Sequence, residues 1–222
     1  FLSVLYEHTT NTSLTTTVIS PTELTRQFRE RNDVFKNVLS VGFATPAQIS
    51  LNVGPQPLEG SAVDPGKATP GSKDVKEALL LVAVTNTRDD GTIELTAGTN
   101  IIIRLPHAVG SGLRCDPYAA LTTERAASHG ITLTPDEDVV VYTVPNDKKV
   151  EKYRFGSIFS VICKFNTANV ETLKTGIITA ELPKYVFNLT REKRIPIGPP
   201  TDILFDPYQQ TCNACGVGEL NC

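Results

Sequence analysis

Short apolar or β-branched runs, closed by Gly, Pro, Asn or Asp, recur along the whole chain and leave few folds open to it. They are SLTTTVIS (13–20), VLSVGF (38–43), AQISLNV (47–53), EALLLVAVTNT (77–87), TIELT (92–96), TNIIIRL (99–105), EDVVVYTV (137–144), YRFGSIFSVICKF (153–165), GIITAEL (176–182), YVFNL (185–189) and DILFD (202–206). This pattern predicts a sandwich or barrel rather than βαβ units. The nearly continuous apolar run at 77–87 predicts a central strand.

Two helices interrupt the strands. In SPTELTRQF, Ser20 precedes Pro21 in the first turn and Glu23 follows three residues later, the arrangement of a capping box. Leu24 and Phe28, four apart, fall on one face. DPYAALTTERAASHG has the same logic, with Asp116 as cap, Pro117 next and Gly130 as stop. Both helices are expected to be crossovers at the ends of the sandwich. GPQPLEGSAVDPGKATPGSK (54–73) is dense in Gly and Pro and has little periodicity, so it reads as an interdomain linker or a surface excursion.

A faint repeat runs through the middle of the chain. LLLVAVTNT (79–87) leads to GTNIIIRLP (98–106), and SIFSVICKFNT (157–167) leads to TGIITAELP (175–183). Each unit is a long apolar strand ending in Asn-Thr, a polar turn, and a strand ending in Leu-Pro. Either the likeness is chance among β-rich segments or two sandwich modules share one plan. Proline after a strand suits both readings, because it cannot donate to a continuing ladder. The pattern resembles immunoglobulin-like repeats of very large protist and algal surface proteins of the mastigoneme type. That resemblance implies an extracellular, glycosylated, structural role and brings no site residues with it.

Composition narrows the function classes. A formal net charge of −3 disfavours a nucleic-acid binder, which carries a basic stripe. The clusters Arg26, Arg29, Arg31 and Arg191, Lys193, Arg194 are mixed with Glu and read as solvated faces. The longest apolar run, Ala78 to Val84, is far too short to span a bilayer. A first residue other than Met, and no Met anywhere, suggest a mature or partial chain with a signal peptide removed. Two sequons, at Asn11 and Asn188, are glycosylation candidates and, with the clustered cysteines, point outside the cell.

Chemistry-bearing patterns are sparse. His8, His107 and His129 show no metal-ligand spacing, and nucleophile-elbow and phosphate-loop motifs are missing. TRDDG (87–91) reads as a tight turn with Gly91 at positive φ. TPDED (134–138) reads as a solvated turn, lacking the alternating ladder of a calcium loop. No catalytic residue, metal ligand or cofactor is assigned.

The five cysteines are more telling. A Cys115–Cys163 bridge is one reading, and a buried free thiol at Cys163 the other. Cys212, Cys215 and Cys222 supply three ligands where zinc needs four, with no His nearby. A redox Cys-x-x-Cys opens a helix near a βαβ unit, which this context does not offer. The favoured reading is a disulfide-rich segment whose partners lie further on.

The sequence thus predicts a mainly β, immunoglobulin-like sandwich, as one large or two small modules, with two short crossover helices and a Cys-rich C-terminal segment. Residues 1–53 read as a β-rich part with one helix, 54–74 as the linker or excursion, 75–207 as the sandwich and 208–222 as the start of the Cys-rich segment. The expected role is non-enzymatic: a structural glycoprotein of an extracellular filament, coat or matrix. Its expected partners are other copies or subunits and N-linked glycans, with no nucleic acid and no membrane span in this segment. The alternatives are a viral capsid or spike protein with a jelly-roll core, and a carbohydrate-binding adhesion domain. The latter lacks an aromatic platform, since Trp is absent.

Overall fold

The computed structural model describes residues 2–191 apart from 31–34, 43–45, 70, 96–97, 117, 129, 145–150, 155 and 157. The chain order is β1 (Leu2–Ile19), α1 (Pro21–Glu30), β2 (Lys36–Val41), β3 (Ala47–Gln56), β4 (Leu58–Glu59), β5 (Glu77–Asn86), β6 (Gly91–Leu95) and β7 (Asn100–Pro106). It continues with β8 (Gly110–Cys115), β9 (Tyr118–Ala119), α2 (Thr123–Ser128), β10 (Glu137–Thr143), β11 (Glu151–Tyr153), β12 (Ile158–Thr167) and β13 (Leu173–Arg191).

Two sheets face each other across one core, as the run pattern predicts. The first has the order β10-β7-β13-β1-β4, with β6 on β13 and β11 on β6. The second has the order β2-β3-β5-β12-β8-β9. Alternation along each strand supplies the two inner faces. From the first sheet come Leu14, Val18, Ile101, Ile103, Leu105, Ile178, Leu182 and Phe187. From the second come Ile49, Leu51, Leu80, Val82, Val161, Phe165 and Leu113.

The long antiparallel pair β1–β13 is the spine of the first sheet. Its register runs from Leu2↔Arg191 to Ile19↔Leu173, with one irregularity between His8 and Thr10. GIITAEL and YVFNL therefore belong to one strand. Pro183 falls at that irregularity, where its missing N–H leaves no ladder position unfilled. Along the far side of β13, β7 pairs at Thr179–Glu181 and β6 at Val186–Leu189.

The repeat has a simple structural meaning. Its first strands, in β5 and β12, are antiparallel neighbours in the second sheet. Its second strands, in β7 and β13, are antiparallel neighbours in the first. Both copies thus contribute to the same core. Residues Gly54–Glu59 lie in β3 and β4 rather than in a free linker, and Ser61 hydrogen-bonds Thr167. Turns follow as far as Lys76. The chain from Phe1 to Arg191 forms one unit by its contacts. DILFD and the segment 208–222 lie outside the described residues.

Helix α1 begins as predicted. Ser20 Oγ accepts the Glu23 N–H at 3.3 Å. The reciprocal half of the box is not made: the Ser20 N–H donates to Thr172 O, and the Glu23 carboxylate takes Arg26 and Gln27 instead. Those donors hold the Glu23 carboxyl down to about 2. Leu24 is buried, whereas Phe28 is exposed and packs on Phe35 with ring centroids 5.2 Å apart. The second helix starts later than predicted. Tyr118 and Ala119 are drawn into β9 against β8, and helix forms only from Thr123. Gly130 does follow it at φ 67°.

Cys115 and Cys163 are disulfide-bonded. They are directly opposed neighbours on β8 and β12, so the bridge lies within one sheet. It closes a separation of 48 residues. Loop-closure entropy for that span contributes about 4 kcal/mol. A Cys115→Ala/Cys163→Ala variant is expected to lose most of that in urea unfolding, and a loss under about 1 kcal/mol would contradict it.

The threonine-rich β1 turns Thr10, Thr12 and Thr16 toward the interior. Thr12 Oγ1 meets Ser40 Oγ at 2.8 Å, but the hydroxyls of Thr10 and Thr16 have no partner among the described residues. A buried unpaired hydroxyl costs roughly 1–3 kcal/mol. Thr16→Val, which keeps the shape, should therefore raise the urea midpoint, by about 1 kcal/mol in stability.

Candidate functional site

The outer face of the second sheet carries a group of exposed aliphatic side chains. β5 and β12 lie side by side at its centre, and both alternate strictly in burial. Their inward residues fill the core. Their outward residues mix polar ones (Glu77, Thr85, Ser160, Lys164 and Asn166) with large aliphatic ones, which the usual solvated face of an antiparallel sheet lacks. Leu79 is 54% exposed, Ile162 59% and Ile158 63%, and Leu81 is exposed beside them.

Register sets these side chains into rows. Ile162 lies opposite Leu81, Leu81 opposite Asn52, and Asn52 opposite Leu39 on the edge strand β2, where Leu39 is 59% exposed. The next row, Ala83 with Ser50 and Ser160, is made of small residues. The result is a low patch of aliphatic side chains on β12, β5 and β2, with Asn52 of β3 set between Leu81 and Leu39.

A charged cluster closes one end. Glu77 accepts a hydrogen bond from Arg114 and lies 3.3 Å from Lys164 Nζ. Beside it, an open cavity of about 480 Å3 is lined by Arg114, Asp116, Tyr118, Ala119, Ile162 and Lys164. The Tyr118 hydroxyl donates to Thr143 O and its ring meets Tyr142 edge-on, so the cavity wall is fixed. Burial, with Tyr118 and Asp116 adding to it, pushes the Tyr142 phenol above its ordinary value and keeps it neutral.

The other sequence candidates go elsewhere. The Cys115–Cys163 bridge lies under this face, fully buried. Cys212, Cys215, Cys222 and His129 lie outside the described residues. Asn11 is exposed on the outer face of the first sheet, and Asn188 is half-buried on β13. The acids of TPDED hold the fold together: Glu137 bonds Arg104, and Asp138 takes both His107 Nε2 at 3.0 Å and the Leu113 N–H. Among the described residues, no group of three or more His, Cys, Asp or Glu side chains is placed to hold a metal. No helix there is long and apolar enough to cross a membrane.

Gly91 also differs from its expected turn role. It opens β6 as a strand residue, where a Cβ would lie 2.5 Å from both Asn188 O and the Phe187 ring. Its requirement is close approach, not positive φ.

Comparison with family models, with curated proteins and with solved structures gave no match to this chain.

Sequence reasoning placed EALLLVAVTNT at the centre of a sheet, where β5 lies. It did not see that one face is open. The signal was the run itself: in an antiparallel sheet, apolar residues at both parities make both faces apolar. Two adjacent truncations separate the faces. Val161→Ala, on the buried side, should cost about 2 kcal/mol in urea unfolding. Ile162→Ala, its outward neighbour, should change stability by less than about 0.5 kcal/mol.

Proposed function

We propose that this chain is a non-enzymatic structural part of an extracellular coat, filament or matrix, acting by assembly with other copies or subunits. The observation that carries this reading is the patch of Leu39, Leu81, Ile162, Leu79 and Ile158 on the open face of the second sheet. Clusters of exposed aliphatic side chains mark interaction sites on soluble domains. Association removes them from water, at about 25 cal/mol per Å2 before the costs of ordering.

The buried disulfide supports an oxidising compartment. The polar groups that acid–base chemistry would use, His107, Asp138 and Glu137, are engaged in joining β7, β8 and β10. The immunoglobulin-like reading rests on the two-layer antiparallel sandwich and the doubled strand–turn–strand pattern. The bridge within one sheet sets it apart from antibody domains, whose bridge joins the two sheets. In this reading Cys212, Cys215 and Cys222 are further disulfide candidates.

Sedimentation velocity over a concentration series tests the assembly. The wild-type chain should associate reversibly, and a Leu81→Asp/Ile162→Asp variant of unchanged circular dichroism should remain monomeric. A wild-type chain that stays monomeric at about 100 μM, or a variant that associates equally, overturns the role given to this face. Membrane-impermeant biotinylation of intact source cells tests the location, with labelling of this chain expected.

A further inference from the structure

Asn11 and Ser13, the ends of the first sequon, project from the same outer face of β1 because residues two apart share a face. On one side they meet β13, where Asn11 is opposite Glu181 and Ser13 opposite Thr179. On the other side the chain leaving β2 passes close by. Ser40 Oγ hydrogen-bonds Ser13 O, and Gly42 lies so near that a Cβ there would stand 2.7 Å from Asn11 O. Gly42 is held in that position by its N–H to Ile49 O at 2.9 Å.

Between these two walls is an open cavity of about 600 Å3. Its lining is polar: the Asn11 carboxamide, the hydroxyls of Ser13, Ser40 and Thr179, and the Glu181 carboxylate. Pockets of roughly 300–1,000 Å3 hold small organic ligands. Hydroxyls with one carboxylate suit a polyol bearing an acetamido group, since the hydroxyls can donate and accept and the carboxylate accepts from sugar hydroxyls. Among the described residues, no hydrogen bond ties down the Asn11 side chain.

The second sequon is placed differently. Asn188 is half-buried, on a strand paired on both sides, with Leu5 of β1 and Thr92 of β6 opposite it.

We propose that Asn11 is an N-glycosylation site whose first sugar sits in this cavity. This rests on the extracellular reading above. The donor is a lipid-pyrophosphate-linked oligosaccharide in the secretory lumen. Asn11 Nδ2 forms the bond to the anomeric carbon, the bond from that carbon to pyrophosphate oxygen breaks, the lipid pyrophosphate leaves with the electron pair, and Nδ2 gives up one proton. Transfer takes place on the unfolded chain. The fold then decides which glycan is housed: the Asn11 sugar enters a polar seat, whereas a sugar on Asn188 would have to stand over a closed sheet.

The test directs the whole chain into the secretory pathway of a glycosylating host with an added leader, so acceptor behaviour is read independently of where the native protein resides. Peptide mass spectrometry should show Asn11 nearly fully occupied. The gel shift on glycan removal should shrink in Asn11→Gln relative to the wild type. Bare Asn11 overturns the proposal. The seat has its own readout. Glycan release from Asn11 by peptide-N-glycosidase should be at least about tenfold slower on the folded protein than on the unfolded chain. Glu181→Ala, on the exposed wall, should speed the folded-state release several-fold. Release at one rate in folded, unfolded and Glu181→Ala forms would sink the seated sugar even if Asn11 is occupied. Failure of surface labelling with full Asn11 occupancy would sink the extracellular reading alone.

Discussion

Everything in the first sheet depends on the pairing of β1 with β13. The two strands lie at opposite ends of the described chain, yet they match from Leu2↔Arg191 to Ile19↔Leu173. β13 then offers its other edge to β7 over one half and β6 over the other, and these carry β10 and β11. Without the spine, four strands have no common support. Such pairing between distant segments gives little reward until the loop between them is closed, which places this sandwich among the slow folders. The in-sheet bridge between β8 and β12 addresses the same difficulty in the second sheet by shrinking the unfolded ensemble.

The two sheets are finished differently. On the first, the outward residues of β1 near its middle are Asn11, Ser13, Thr15 and Thr17, all polar, and the Gln56 side chain reaches back to Thr15 O and the Thr17 N–H as a strand would. That carboxamide blunts an edge that would otherwise invite pairing. On the second, the centre of the face is aliphatic and only its end is charged. The first face also exposes Ile177 and Leu173 of β13, so the two faces differ in degree, with more exposed aliphatic side chains on the second.

The sequence made most strands legible because β-branched and apolar runs between turn residues report half-buried ladders directly. It failed where long-range packing overrode local signals. GSGLRC is absent from the predicted strands yet forms β8, where Gly110 must be glycine because Asn166 O and the Phe165 ring occupy the place of a Cβ. Pro183 looks like a strand end, but the β1 partner continues past it and absorbs it at an irregularity. Asp116-Pro117 looks like a helix start, but Cys115, tethered to Cys163, pulls the next residues into pairing with β8. The apolar face was visible in composition as a run of leucines and valines. Its openness was not, because whether a second layer covers a face depends on how many elements the whole fold can spare.

The meeting of Leu2 with Arg191 also has a mechanical side. The chain enters and leaves the sandwich at neighbouring points, on two strands that run antiparallel. A pull applied between those points would load the ladder like a zipper, parting it one rung at a time, whereas strands pulled from opposite ends resist as a block in shear. Such a module is poorly suited to bear tension in series along a fibre. In the proposed assembly it would hang as a side branch, meeting neighbours broadside through a sheet, with little axial force passing through its core.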